Sequence, residues 1–104
     1  MTKYEAHLRG DFDELFTWLQ DGLGQWERED KSDYHAGGVR CALRVYEKFS
    51  LWSRFISLTV LLIESETGLF VSAISSGGAI EGEWARRKLL VRVERIVEAY
   101  KQAR

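Results

Sequence analysis

Between Val39 and Ser76 three strand-like runs follow one another, the first alternating cleanly between apolar and polar residues, and that succession limits the fold more than anything else in the chain. The run "VRCALRVYEKF" sets Val39, Cys41, Leu43, Val45 and Phe49 on one parity and Arg40, Ala42, Arg44, Tyr46 and Lys48 on the other. "RFISLTVLLIE" follows, with Ile56, Leu58, Val60 and Leu62 on one parity, and "SETG" turns it into "LFVSAISS". Successive side chains of a strand point to opposite faces, so three such runs in succession predict three strands of one sheet. Gly68 suits a backbone of positive φ at the turn. In the first of these strands the Val39 parity is expected to face the core, which makes Cys41 a small buried residue and leaves Arg40, Arg44, Lys48 and Tyr46 on the outward face.

Strand signals also precede this block. "KYEAHLR" alternates, with Tyr4, Ala6 and Leu8 on one side, and Gly10 ends it. "DFDELFTWLQDGLG" then changes to a helical period, with Phe12, Leu15, Phe16, Leu19 and Leu23 on one stripe. Asp11 and Glu14 have the spacing of an N-cap with its partner three residues on, and Gly22 and Gly24 are expected to stop the helix. "QWEREDKSDYH" is too polar for a central strand and reads as an edge strand or an extended arm, its charges discouraging unwanted pairing. From about Ala79 to Gln102 the period is helical again, with Leu89, Leu90, Val93, Ile96, Val97 and Tyr100 inward. Such a helix spans roughly 30–35 Å, enough to cross a sheet.

The order is therefore β-α-β-β-β-β-α. Helices at the two ends of a strand run favour an antiparallel sheet with both helices on one face, an α+β sandwich of two layers. At 104 residues this is one domain, and 45% hydrophobic with 30% charged residues is a balance that orders a chain throughout. The element order resembles that of the TATA-binding-protein type of fold, and fold alone does not transfer function. "SDYHAGGVRCALRVYEKFS", "LFVSAISSGG" and "GDFDELFTWLQDG" resemble a family of short bacterial proteins known only as a domain of unknown function. That resemblance covers nearly the whole chain, implies no activity and carries over no functional residue.

Chemistry is sparse. A net charge of -1 gives no general reason to seek nucleic acid or anionic lipid, and Cys41 as the one cysteine excludes an internal disulfide. The start "MTKYEAHLRG" has no signal-peptide pattern, and no apolar run approaches about 20 residues, so no membrane span and a cytoplasmic address are expected. His7, His35 and Cys41 lack metal-ligand spacing, so no metal site is expected, and nothing calls for a cofactor. His35 beside Gly37-Gly38 reads as a polar turn residue. No catalytic constellation is visible, and no serine stands in a nucleophile-elbow pattern. Arg40, Arg44, Lys48 and Tyr46 form a basic stripe of the kind that meets single strands, but solvated strand arginines are commoner and nucleic acid is disfavoured.

Two sites stand out. "SSGGAIEGEW" joins a strand to a helix without a phosphate-loop or dinucleotide pattern, and Glu81 and Glu83 in the first turn oppose a phosphate, so a turn is the expectation. Arg86, on the inward side of the helix near Ser75 and Ser76, is nevertheless a candidate contact for an acidic small molecule. On the opposite side of that helix Ile80, Trp84 and Val91 have no expected partner within the chain. Trp52, in "SLWSR", is a further candidate exposed aromatic. The leading expectation is a non-enzymatic interaction domain that forms a homodimer through Ile80, Trp84 and Val91. The outer sheet face, with Tyr46, Leu61, Ile63 and Phe70, is the competing surface, and the alternative function is a small-molecule-binding domain or enzyme at Ser75, Ser76 and Arg86.

Overall fold

The computed structural model describes residues 2–24, 27–50, 54–77 and 82–104, with side chains over 2–24, 30–47, 56–77 and 83–104. The elements follow the expected order: β1 (Thr2–Leu8), α1 (Phe12–Leu23), β2 (Glu27–Ala36), β3 (Val39–Ser50), β4 (Arg54–Ser65), β5 (Gly68–Gly77) and α2 (Gly82–Gln102). The five strands form one antiparallel sheet in the order β1-β5-β4-β3-β2. Both helices lie on the same face, giving the α+β sandwich. The polar stretch is an edge strand, paired to β3 with a register shift between Arg28 and Asp30. The hairpins β2-β3 and β4-β5 turn on Gly37-Gly38 and Glu66-Thr67, and Gly68 has φ +119°, as its place after the turn requires.

The core lies between the helices and one sheet face. Leu58, Val60 and Leu62 of β4 and Leu69, Val71 and Ala73 of β5 meet Leu89, Leu90, Val93, Val97 and Tyr100 of α2 and Leu15, Leu19 and Leu23 of α1, all buried. Each large apolar side chain removed from water contributes roughly 1.5–3 kcal/mol. The Asp11 carboxylate accepts from the Glu14 amide at 2.9 Å, capping α1 where the sequence spacing placed it. Tyr100 ties the end of α2 to the start of α1: its hydroxyl accepts from the Asp11 amide at 2.8 Å and from the Arg104 guanidinium at 2.9 Å.

Two expectations are corrected here. Gly22 does not stop α1 but lies within it, where a Cβ would meet the Ile96 Cδ1 at 2.4 Å; it lets the two helices approach closely. Its carbonyl accepts from Arg92 Nε at 2.9 Å, a second tie between them. The helix ends at Leu23, and Gly24 caps it in an ordinary right-handed conformation.

The second correction concerns β3, whose parities are reversed. Ala42, Arg44 and Tyr46 are buried on the helix side, while Val39, Cys41, Leu43 and Val45 face the other way. Register explains it: Ala42, Arg44 and Tyr46 pair with Leu62, Val60 and Leu58, the core-facing residues of β4. The arginines are accommodated because α1 offers them aromatic rings and β2 and α1 offer carboxylates. Arg40 lies 4.2 Å from the Phe12 ring centroid and Arg44 4.6 Å from that of Phe16. Arg44 donates to Asp33 Oδ1 at 2.7 Å and to the Leu43 carbonyl at 2.8 Å, and Arg40 grips Asp13 with both terminal nitrogens.

Candidate interaction surface

The same register that buries Arg44 builds an apolar field on the opposite face of the sheet. Cross-strand rows can be read directly from the pairing. His7, Phe70, Ile63, Cys41 and Tyr34 form one row from β1 to β2; Glu5, Ser72, Leu61, Leu43 and Ser32 form the next; Lys3, Ile74, Thr59, Val45 and Asp30 form the third. The three central strands thus carry a three-by-three field in which only Ser72 and Thr59 are polar. Charge in these rows is confined to the edge strands: Lys3 and Glu5 on β1, Asp30 on β2.

No described element covers this face. Its apolar side chains are half-buried only by one another, and at its margin Val39 is 38% and Tyr34 64% exposed. On this face Ser72 Oγ donates to Glu5 Oε2 at 3.3 Å, and Ser57 and Ser76 share a hydroxyl bond at 2.9 Å. His7 packs on Phe70 with ring centroids 4.8 Å apart. A water-facing sheet normally alternates apolar-in with polar-out, whereas this one is apolar on both faces over its central strands.

On the helix side, Arg40 and Arg44 are counterbalanced rather than free. The hydrogen bond from Arg40 holds the Asp13 carboxyl below the usual aspartate range, and the same bond raises the pKa of the Arg40 guanidinium. Burial, with help from the Glu98 and Glu94 charges, raises the pKa of the Tyr4 phenol on this side. The basic stripe expected on the outward face is therefore displaced: Arg40 and Arg44 lie against α1, Tyr46 is buried on the same side of the sheet, and the side chain of Lys48 lies outside the described residues.

Ser75 and Ser76, adjacent on β5, point to opposite faces. Ser75 is fully buried on the helix side and donates to the Ser57 carbonyl at 3.1 Å, while Ser76 belongs to the open face. Arg86 is half-buried, and its guanidinium donates to the Gly77 carbonyl. Only Ser75 of the two serines therefore shares its side of the sheet. Trp84 and Val91 are 69% and 40% exposed on α2, with the Lys88 ammonium 5.1 Å from the Trp84 ring. Ile80 and Trp52 lie outside the described residues. Among the described residues no three metal-ligating side chains come together, and no helix is long and apolar enough to cross a membrane.

A groove between α1 and α2, not anticipated from the sequence, is lined by Trp18, Asp21, Gly22, Arg92, Arg95 and Ile96 and has a volume of about 600 Å³. It is wide open to solvent, and Trp18 lies edge-on to Tyr100 at 5.7 Å. Its only signal in the sequence is Trp18 beside the buried stripe of α1.

A family described as "Family of unknown function (DUF6054)" matches residues 1–101. No curated protein and no solved structure matches.

Proposed function

Since the chain belongs to the DUF6054 family, whose function is unknown, its own surface must carry the reading, and we propose that it is a non-enzymatic, cytoplasmic bacterial interaction domain that self-associates through its open sheet face. The observation that carries this is the apolar field on β3, β4 and β5 with no described element over it. Apolar surface left in water is costly at about 25 cal/mol per Å², and contiguous apolar patches larger than a few hundred Å² mark sites of association. The field favours the sheet over Trp84 and Val91, which are two isolated side chains one heptad apart among charges.

Sedimentation velocity over a micromolar concentration series tests the reading. The parent is expected at twice the 12.0 kDa chain mass, Leu61→Asp at the monomer mass with its circular dichroism unchanged, and Trp84→Ala at the dimer mass. A parent that stays monomeric throughout contradicts self-association. A dimer abolished by Trp84→Ala and indifferent to Leu61→Asp transfers the contact to α2.

A second reading, an acidic small molecule held beside Ser75, is favoured by one observation: Arg86 Nε is buried and has no hydrogen-bond partner. Native mass spectrometry of the purified protein tests it. A copurified acid lost in Arg86→Ala supports it, and a bare chain in both contradicts it.

A further inference from the structure

Resting on the proposed self-association, we infer how the two copies meet: face to face, related by a two-fold axis that runs along β4, so that β1 of each copy lies over β2 of the other. Closed two-fold pairs are the commonest homo-oligomers, and a two-fold that brings one sheet face against itself must lie in the plane between the sheets. Two simple placements exist, along the strands or across them.

Charge separates the two. With the axis along β4, each row meets the same row reversed: Lys3 faces Asp30 twice, Glu5 faces Ser32, and Leu61 and Ile63 on the central strand meet their own copies. With the axis across the strands, β1 lies over β1 and Glu5 faces Glu5, a like-charge contact offset only by the Lys3 ammonium of the same strand, 3.8 Å from the Glu5 carboxylate, and Lys3 and Asp30 no longer meet. Phe70 then also falls over Ile74 of the same strand, bulk against bulk, whereas along β4 it falls over the small Cys41. Lys3 and Asp30 are both exposed, at opposite edges of one row. Aligned sheets pack rotated by about 30°, which displaces an edge two strands from the axis by about 5 Å. That is within the reach of a lysine side chain.

The area is just enough for a specific pair. Five strands at about 4.8 Å spacing and three rows at about 6.8 Å repeat present roughly 500 Å² per copy, or about 1,000 Å² in total, the lower bound for a specific interface.

Charge reversal tests the axis. Lys3→Glu and Asp30→Lys are each expected to weaken the dimer about 5–30-fold, because each turns two attractive rim contacts into repulsive ones, and the double variant is expected to return to within about threefold of the parent. Independently, Ile63→Cys in a Cys41→Ser background is expected to give a covalent dimer with a short bifunctional thiol reagent, since residue 63 meets its own copy when the axis follows β4 and falls over Thr59 when the axis crosses the strands at Leu61. Single reversals with independent effects that add in the double variant, with no cross-link at residue 63, overturn the axis while leaving the dimer standing. A parent that never dimerises overturns both this inference and the self-association it rests on.

Discussion

The two faces of the sheet carry similar amounts of apolar side chain and meet different fates. On the helix side Leu58, Leu62, Val71, Val93 and Val97 are fully or almost fully buried, and even Arg44 is only 7% exposed. On the other side Leu61, Ile63 and Phe70 remain half-buried with nothing described above them. The helix face also tolerates charge: two arginines enter it because rings and carboxylates meet them there, at Phe12 and Phe16 and at Asp13 and Asp33. The open face keeps charge at its rim. Polarity alone is thus a poor guide to which face a protein buries within itself. What decides is which side chains find partners, and the proposed association would give the open face its partners in another chain.

Leucines three residues apart on β4 give the sharpest way to break this comparison. Leu58→Ala, on the covered face, is expected to cost about 3–5 kcal/mol through lost transfer energy and a residual cavity. Leu61→Ala, on the open face, is expected to cost the monomer less than about 1 kcal/mol, since the surrounding solvent fills the space. Urea denaturation of both variants at concentrations below dimerisation checks the pair. Equal losses would mean that the open face is covered from within the chain.

A smaller effect sharpens the electrostatic side. Because the Arg40 hydrogen bond holds the Asp13 carboxyl below its usual range, the pair stabilises the fold above the ordinary aspartate pKa, and that contribution fades as the pH falls through the lower folded value. Arg40→Gln is therefore expected to lower stability slightly at neutral pH and not at strongly acidic pH. Thermal melts of the parent and variant across the acid range should converge; a constant gap would place the effect of Arg40 in its stacking on Phe12.

Much of this architecture is legible in the sequence. The Asp11 cap, the inward stripe of α2, the core parity of β4 and the positive φ of Gly68 follow from local rules, because each depends on neighbours within a few residues. The face assignment of β3 is not local: its alternation is plain, but only pairing with β4 and β2 tells which parity meets the helices. Gly22 is similar, since a glycine needed for the approach of Ile96 looks from the sequence like one that ends a helix. The open face was legible in part, through Leu61, Ile63 and Phe70. Tyr46, grouped with them by parity, is buried on the opposite side, and Cys41 and Leu43 take its place.

Cys41 supplies the most direct test, because the one cysteine of the chain lies within the apolar field. Its rate of reaction with a thiol reagent in excess should be measured over a series of protein concentrations, in the parent and in Leu61→Asp. If a second copy covers the open face, the parent rate constant falls as concentration rises through the dimerisation range, while that of Leu61→Asp stays constant. A parent rate constant that does not change with concentration, in a protein shown by sedimentation to dimerise, would contradict the claim that the open sheet face is where the copies meet.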